Sequence, residues 1–83
     1  MTNTEIIQLL EQNAMVEVQF RTKRGHIRTM QCSRKPESVP PIPIDKLHIL
    51  NGPDHVAAFD YLVNEWRAFR FDSIIEMYVL AEV

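Results

Sequence analysis

The residues of this chain that are best suited to bind a ligand lie in one short stretch, Trp66–Ile74, which reads Trp-Arg-Ala-Phe-Arg-Phe-Asp-Ser-Ile. In an extended strand, alternate side chains point to opposite faces. One face would then carry two phenylalanines into a core. The other face would present an aromatic ring, a cation and an anion: Trp66, Arg70 and Asp72.

These residue types are suited to anionic and aromatic ligands. A guanidinium binds a phosphate or carboxylate through two parallel hydrogen bonds, so Arg67 and Arg70 are candidate ligand residues. Trp66 could stack on a base, as aromatic side chains do in small barrels that bind single strands. Two alternatives stay open. Arg70 and Asp72 pair with each other or with Glu17 or Glu76 across the sheet, and Trp66 plugs the core or an edge. Alternation also places Arg67 and Arg70 on opposite faces, so a regular strand cannot point both at one ligand unless a bulge or a subunit boundary intervenes.

A second cluster of charge lies upstream. From Glu17 to Lys35 there are six cations against one anion, a local excess of five, although the chain as a whole carries −2. A basic patch on an acidic body can serve an anionic ligand, whereas the overall charge argues against a general duplex-DNA binder. The alternative is that these are solvated charges of a hairpin. The candidate binding residues here are Arg21, Lys23, Arg24 and Arg28.

The basic cluster is positioned by elements in the first part of the chain, which are a predicted helix and a predicted hairpin. Thr2 and Glu5 have the spacing of a capping box, and the apolar residues that follow predict a helix over 3–13. From Met15 the apolar period changes to two, which predicts a strand that ends near Arg21. Gly25 supplies the positive φ of a short turn. The returning strand is predicted over 26–33, with Met30 and Cys32 on its buried side.

The middle of the chain, residues 34–54, is a Pro-rich connection that holds all five prolines. Its Pro40–Pro43 part should be extended, because prolines exclude helix and weaken ladder pairing. Residues 47–50 would form a short extended piece or one turn of helix. Several apolar residues in the connection indicate that it packs against the domain.

The last third of the chain is predicted to form three strands, over 55–62, 66–71 and 74–83, with a turn at 63–65. Phe69 and Phe71 are the expected core residues of the middle strand. The competing interpretation is an amphipathic helix over 56–66, because Ala57 and Ala58 favour helix.

Two segments together resemble a known family. Phe20–Ser33 is similar to a hairpin of the form strand, x-x-x-Gly-x-x-Arg-x-Met-x-Cys-Thr, and Trp66–Ile74 follows after the Pro-rich segment. Both resemble the small phage-encoded WYL-like proteins with an Sm-like small β-barrel fold. The second segment also resembles the closing strand of WYL domains in bacterial regulators, where Trp-Arg-x-Phe-Arg-x-Asp recurs. The resemblance covers roughly residues 15–76. The long Pro-rich segment and the missing Trp-Tyr-Leu tripeptide depart from it.

The resemblance implies a fold and a binding role. The expected fold is mainly β: one domain over residues 1–83, formed by a small Sm-like five-stranded bent β-barrel with a short N-terminal α-helix. Arg67 and Arg70 would carry the nucleic-acid or nucleotide binding associated with this strand in WYL domains. Because a small open barrel leaves strand edges unpaired, we expect a homo-oligomer, of which a ring is one form.

Catalysis is not expected. His26, His48 and His55 lack the spacing of metal ligands, and Cys32 is the single cysteine. With only two glycines there is no Gly-rich phosphate loop. No catalytic residue, metal or cofactor is therefore predicted. No secretion or membrane signal is recognised, so the expected location is the cytoplasm. If the protein is phage-encoded, this is the cytoplasm of the host.

Two functions remain. The first is a phage accessory or regulatory module that binds an anionic ligand, single-stranded nucleic acid or a nucleotide, through the basic hairpin and the Trp-Arg-x-Phe-Arg strand. The second is a protein-interaction module that binds and modulates a host or phage protein, such as a polymerase or defence component. The net charge of −2 and the apolar, Pro-rich connection favour the second.

Overall fold

The computed structural model describes residues 1–82 and shows one helix and five strands. These are α1 (Asn3–Gln12), β1 (Asn13–Arg21), β2 (Ile27–Ser33), β3 (His55–Asp60), β4 (Glu65–Arg70) and β5 (Ile74–Glu82), with 3-10 turns at Ile44–Ile49 and Phe71–Ser73. The strands form one antiparallel sheet in the order β4-β3-β2-β1-β5. The predicted mainly β fold with five strands and an N-terminal helix is confirmed. The sheet is open, because no ladder joins β4 to β5 in residues 1–82.

Helix α1 begins with the predicted capping box. The Thr2 backbone N–H donates to Glu5 Oε1 over 2.8 Å, and the Glu5 N–H donates to Thr2 Oγ1 over 3.1 Å. These bonds satisfy two N–H groups that have no partner within the helix. The bonds from Thr2 also lower the pKa of the Glu5 carboxyl. Ile6 and Leu10 are the buried residues of the helix and join the main core.

The core lies between α1 and one face of the bent sheet. Val16 pairs with Cys32 and Val18 with Met30 across β1 and β2, and all four are buried. The predicted burial of Met30 and Cys32 is therefore confirmed. Burial raises the pKa of the Cys32 thiol to about 12, so the group is a small core side chain and not a nucleophile.

Strands β3 and β4 form the late hairpin, and the competing helix over 56–66 is not present. The two strands pair over six residues, from His55 with Arg70 to Asp60 with Glu65. Asn64 has φ 55° in the connecting turn, a left-handed conformation that asparagine tolerates better than most residues. The predicted last strand corresponds to β5, and Val83 lies outside the described residues.

The Pro-rich connection packs against β3, as its apolar residues indicated. β2 and β3 share only two ladder pairs, so the rest of this edge of β3 needs other partners. The Ala57 N–H donates to the Leu50 carbonyl over 3.0 Å, and Arg34 Nη1 lies 3.4 Å from the Ala57 carbonyl. Five of the six β3 residues are consequently buried. Residues 44–49 form a 3-10 turn in this connection, one of the two forms expected near 47–50.

Candidate anion-binding site

The β1–β2 hairpin presents its cations on a well-bonded turn. The Thr22 N–H donates to the His26 carbonyl over 2.8 Å, and the Gly25 N–H donates to the Thr22 carbonyl over 2.9 Å. Gly25 has φ 85°, as the turn prediction required. Arg21 Nη1 donates to the Gly25 carbonyl over 3.1 Å, so this side chain is held beside the tip. The turn geometry therefore fixes where Arg21, Lys23 and Arg24 leave the backbone.

The basic surface is smaller than the charge count suggested. Arg34 and Lys35, the first two residues of the Pro-rich connection, are only 8% and 7% exposed. Lys35 Nζ also lies 3.4 Å from a Glu37 carboxylate oxygen. The solvent-facing cations of this region are the four that the sequence proposed as binding residues: Arg21, Lys23, Arg24 and Arg28.

Cations from two distant segments meet around a shallow depression. We call it the basic depression and define it by Arg21, Lys23 and Arg70, which all line it. It consists of two adjoining hollows of about 190 and 380 Å³ that share these three residues, Thr22 and Ser73. Phe20 and Phe69 line the smaller hollow, with ring centroids 6.1 Å apart and planes 27° from parallel. The depression therefore combines an apolar, aromatic floor with a rim that carries three cations and the carboxylate of Asp72.

Arg70 already has carboxylate partners. Its Nε and Nη2 lie 3.0 Å from Asp72 Oδ1 and Oδ2, and Nη1 lies 3.4 Å from Asp54 Oδ2. The hydrogen bonds to Asp72 raise the pKa of Arg70, and the same bonds lower the pKa of Asp72. All three side chains are exposed, where an ion pair contributes little to stability. A phosphate can therefore compete with Asp72 for this guanidinium.

The turn after β4 makes this pairing. Phe71–Ser73 is a 3-10 turn, so the strand ends one residue earlier than predicted. Phe69 is 7% exposed, which confirms it as a core residue. Phe71 is only half-buried: it packs against the core from the 3-10 turn and not from the strand. Asp72 reaches Arg70 through the turn and not through strand alternation. The Ser73 hydroxyl donates to the Arg70 carbonyl over 2.7 Å and steadies the turn.

Trp66 and Arg67 lie away from the basic depression, toward the start of β4. Trp66 is opposite Phe59 in the register, and the two rings meet edge to face with centroids 6.1 Å apart. Its indole Nε1 donates to the Pro40 carbonyl over 3.2 Å. Trp66 thus packs against the Pro-rich connection, the structural alternative left open by the sequence. Arg67 is exposed and lines neither hollow.

Arg24 and Arg28 are exposed on the hairpin but also lie outside the two hollows. Arg28 is opposite Phe20 in the β1–β2 register, so it occupies the same sheet face beyond the end of the core. Thr22, Ser73 and the Phe20 ring were not predicted as site residues. Phe20 could have been found from its place next to Arg21, at the end of an alternating strand.

The described residues give no sign of a metal centre or a membrane span. No group of three or more His, Cys, Asp or Glu side chains within residues 1–82 could hold a metal ion. In the same range, no helix is long and apolar enough to cross a membrane.

The chain matches no protein-family model, no curated protein and no solved structure. The case for the basic depression as a site therefore rests on the geometry of this chain.

Proposed function

We propose that this protein is a non-enzymatic binding module for an anionic ligand, single-stranded nucleic acid or a nucleotide, and that the basic depression is its contact site. One observation carries the proposal: Arg21 and Lys23 from the hairpin converge with Arg70 from β4 around the Phe20–Phe69 floor. Phosphate oxygens would bind the cations, and a base would pack against the apolar floor. The proposed kinship with small phage WYL-like proteins and a location in the host cytoplasm fit this role.

In this proposal a base packs against Phe20, and not against Trp66 as the sequence suggested. Trp66 is held by Phe59 and Pro40, whereas Phe20 is half-buried and lies beside Arg21. Phe20 is therefore the ring available next to the cations. Arg24 and Arg28 extend the positive surface around the depression and would contact further phosphates of a longer strand.

Fluorescence anisotropy with short labelled RNA and DNA at several salt concentrations tests the proposal. Arg21→Gln/Lys23→Gln should weaken binding and lower the slope of log affinity against log salt by about 1.4, the value for two phosphate contacts on a single strand. Arg67→Gln/Lys46→Gln is the matched control, because it removes the same charge outside the depression. Absence of binding at low salt would remove nucleic acid from consideration. Equal losses in both double variants would remove the basic depression as the contact site.

A homo-oligomer is part of the same proposal. β4 and β5 form the two edges of the open sheet, and β5 has exposed Ile75, Tyr78 and Leu80. Edge strands with apolar side chains favour pairing with another chain. Native mass spectrometry should therefore show a defined multimer, with any co-purified nucleotide visible as added mass. A monomer at all concentrations would contradict this part.

A second function, a protein-interaction module for a host or phage protein, is favoured by a different surface. Four large apolar side chains are exposed on the Pro-rich connection and the β3–β4 turn: Ile44, Leu47, Leu62 and Val63. Exposed large apolar side chains are candidates for protein docking when they form a contiguous patch. A pull-down from bacterial lysate with and without nuclease separates the two functions. A protein partner that survives nuclease supports the second function, and recovery of nucleic acid alone contradicts it.

A further inference from the structure

A second groove lies away from the basic depression, between the Pro-rich connection and Trp66. Its volume is about 290 Å³, and apolar side chains supply most of its wall, including Pro40, Ile42, Leu50 and Trp66. Only two charged residues line it. They are Arg34, which follows β2, and Glu11 near the end of α1.

Arg34 is buried at this groove with part of its guanidinium unused. The side chain is 6% exposed, and Nη1 donates to the Leu50 carbonyl over 2.9 Å and to Asn51 Oδ1 over 2.6 Å. Among the side chains of residues 1–80, Nη2 makes no hydrogen bond, and it lies 3.7 Å from Glu11 Oε2. No fully enclosed polar side-chain atom of the described residues lacks a partner, so Nη2 keeps an accessible surface. Because Arg34 also lines the groove, Nη2 is the part of this guanidinium that a bound ligand could reach.

The charge at the groove is incompletely balanced. Burial lowers the pKa of Arg34 while Glu11 acts in the opposite direction, and an arginine stays protonated throughout. The Glu11 side chain is 49% exposed and too far from Nη2 for a hydrogen bond. A buried cation gains most from a carboxylate that makes direct, charge-assisted hydrogen bonds. Glu11 does not provide such bonds.

We propose that this groove binds a small organic monocarboxylate. Its carboxylate would take the Nη2 side of Arg34 in place of Glu11, and its apolar body would lie against Trp66 and the prolines. The groove shares no lining residue with the basic depression, so this proposal does not rest on the anion-binding function.

Trp66 is the single tryptophan, so its fluorescence reports directly on the groove. The full-length chain is titrated with octanoate below its micelle concentration, and with octan-1-ol and octylamine as neutral and cationic analogues. We expect a saturable emission change with octanoate and about tenfold weaker binding of both analogues, the value of one charge-assisted hydrogen bond. Equal affinity for octanol, tighter binding of octylamine, or no saturable change with octanoate would overturn the proposal.

Two variants test the role of the charges. Glu11→Gln removes the competing carboxylate and should tighten octanoate binding by roughly two- to fivefold, as expected for a partly exposed ion pair. Glu37→Gln is the matched control, because Glu37 does not line the groove, and it should leave binding unchanged. Weaker octanoate binding in Glu11→Gln would contradict the proposal.

Arg34→Met should abolish the preference for octanoate over octanol. This variant also loses the bonds to Leu50 and Asn51, so its folding is checked by circular dichroism. If it does not fold, Glu11→Gln decides the question. If it folds and keeps the preference, the assignment of Arg34 is wrong. A short peptide that binds tighter than octanoate through a free C-terminal carboxylate would replace the small acid as the ligand and overturn the assignment.

Discussion

Two arginines of this domain contact carboxylates in opposite environments. The Arg70 side chain is 55% exposed and is gripped through two nitrogens by Asp72. The Arg34 side chain is 6% exposed and donates mainly to the Leu50 carbonyl and Asn51, with Glu11 at a distance. The exposed arginine has the shorter contacts with a carboxylate, and the buried arginine has the hydrogen bonds that are shielded from solvent.

The difference separates an arginine that stabilises the fold from an arginine that is free to bind a ligand. An exposed ion pair is exchanged readily with solvent or with another anion, so Arg70 can serve a ligand at small cost to the fold. A buried guanidinium that satisfies carbonyl groups cannot be removed without leaving those groups unpaired. Arg34 should therefore be needed by the fold, and Arg70 should be needed by the ligand.

Arg34→Met has the largest expected effect. It leaves the Leu50 and Ala57 carbonyls without their guanidinium donor, and we expect a loss of about 3 kcal/mol in the free energy of unfolding. Arg70→Met is the comparison variant and should lose much less than Arg34→Met, because its partners are exposed. Urea unfolding measures both. Equal losses in the two variants would erase the distinction.

Trp66→Phe should have a smaller effect on the fold and none on oligonucleotide binding. The substitution removes the hydrogen bond to the Pro40 carbonyl and keeps an aromatic ring against Phe59, for a loss of about 1 kcal/mol in unfolding free energy. Oligonucleotide affinity should stay unchanged, because Trp66 lies outside the basic depression. A strong loss of affinity with an intact fold would return Trp66 to the binding site.

Asp72→Asn tests whether the Arg70 guanidinium binds a ligand more readily when its carboxylate partner is removed. Because Asp72 occupies Arg70 through two hydrogen bonds, removing its charge should free the guanidinium for phosphate. We expect oligonucleotide affinity to rise by roughly two- to fivefold in the anisotropy titration, the range of an exposed ion pair. Glu76→Gln is the charge-matched control, since Glu76 lines neither hollow of the depression. Equal gains in both variants would indicate a general charge effect.

Local features of this fold could be predicted from the sequence. The capping box at Thr2 and Glu5, the Gly25 turn and the burial of Met30 and Cys32 each depend on residues close together in the chain. Their signals are short-range steric and hydrogen-bonding preferences. The late strands were also predictable, because alternation and the turn at Asn64 agree.

The site depends on contacts that no local pattern contains. In the sheet order β3 and β2 separate β4 from β1, so Arg21 and Arg70 do not meet through strand pairing. They line one hollow where Phe20 of β1 packs against Phe69 of β4. Counting charges could not show that Arg34 and Lys35 are buried, because their burial depends on how the Pro-rich connection folds over β3. The pairing of Arg70 with Asp72 was foreseen as an alternative, but the 3-10 turn that produces it was not.

The pH dependence of the Asp72–Arg70 pair is the smallest expected effect. The hydrogen bonds to Arg70 lower the pKa of Asp72 in the folded chain relative to the unfolded chain. A carboxyl group with a lowered folded pKa stabilises the fold above its unfolded pKa of about 3.9, and the contribution is lost as pH falls through the folded pKa. The small stability advantage of the native chain over Asp72→Asn should therefore be constant near neutral pH and shrink below about pH 4.

Carboxyl-carbon NMR titration of Asp72, with urea unfolding of both chains across the acid range, measures this effect. Because Arg70 remains charged at every pH used, the loss of the pair must come from protonation of Asp72 alone. The same protonation frees Arg70, so anion binding by the native chain should approach that of Asp72→Asn in acid. If the two affinities stay apart after Asp72 has titrated, Asp72 does not compete for Arg70. The contrast with Arg34 would then rest on burial alone.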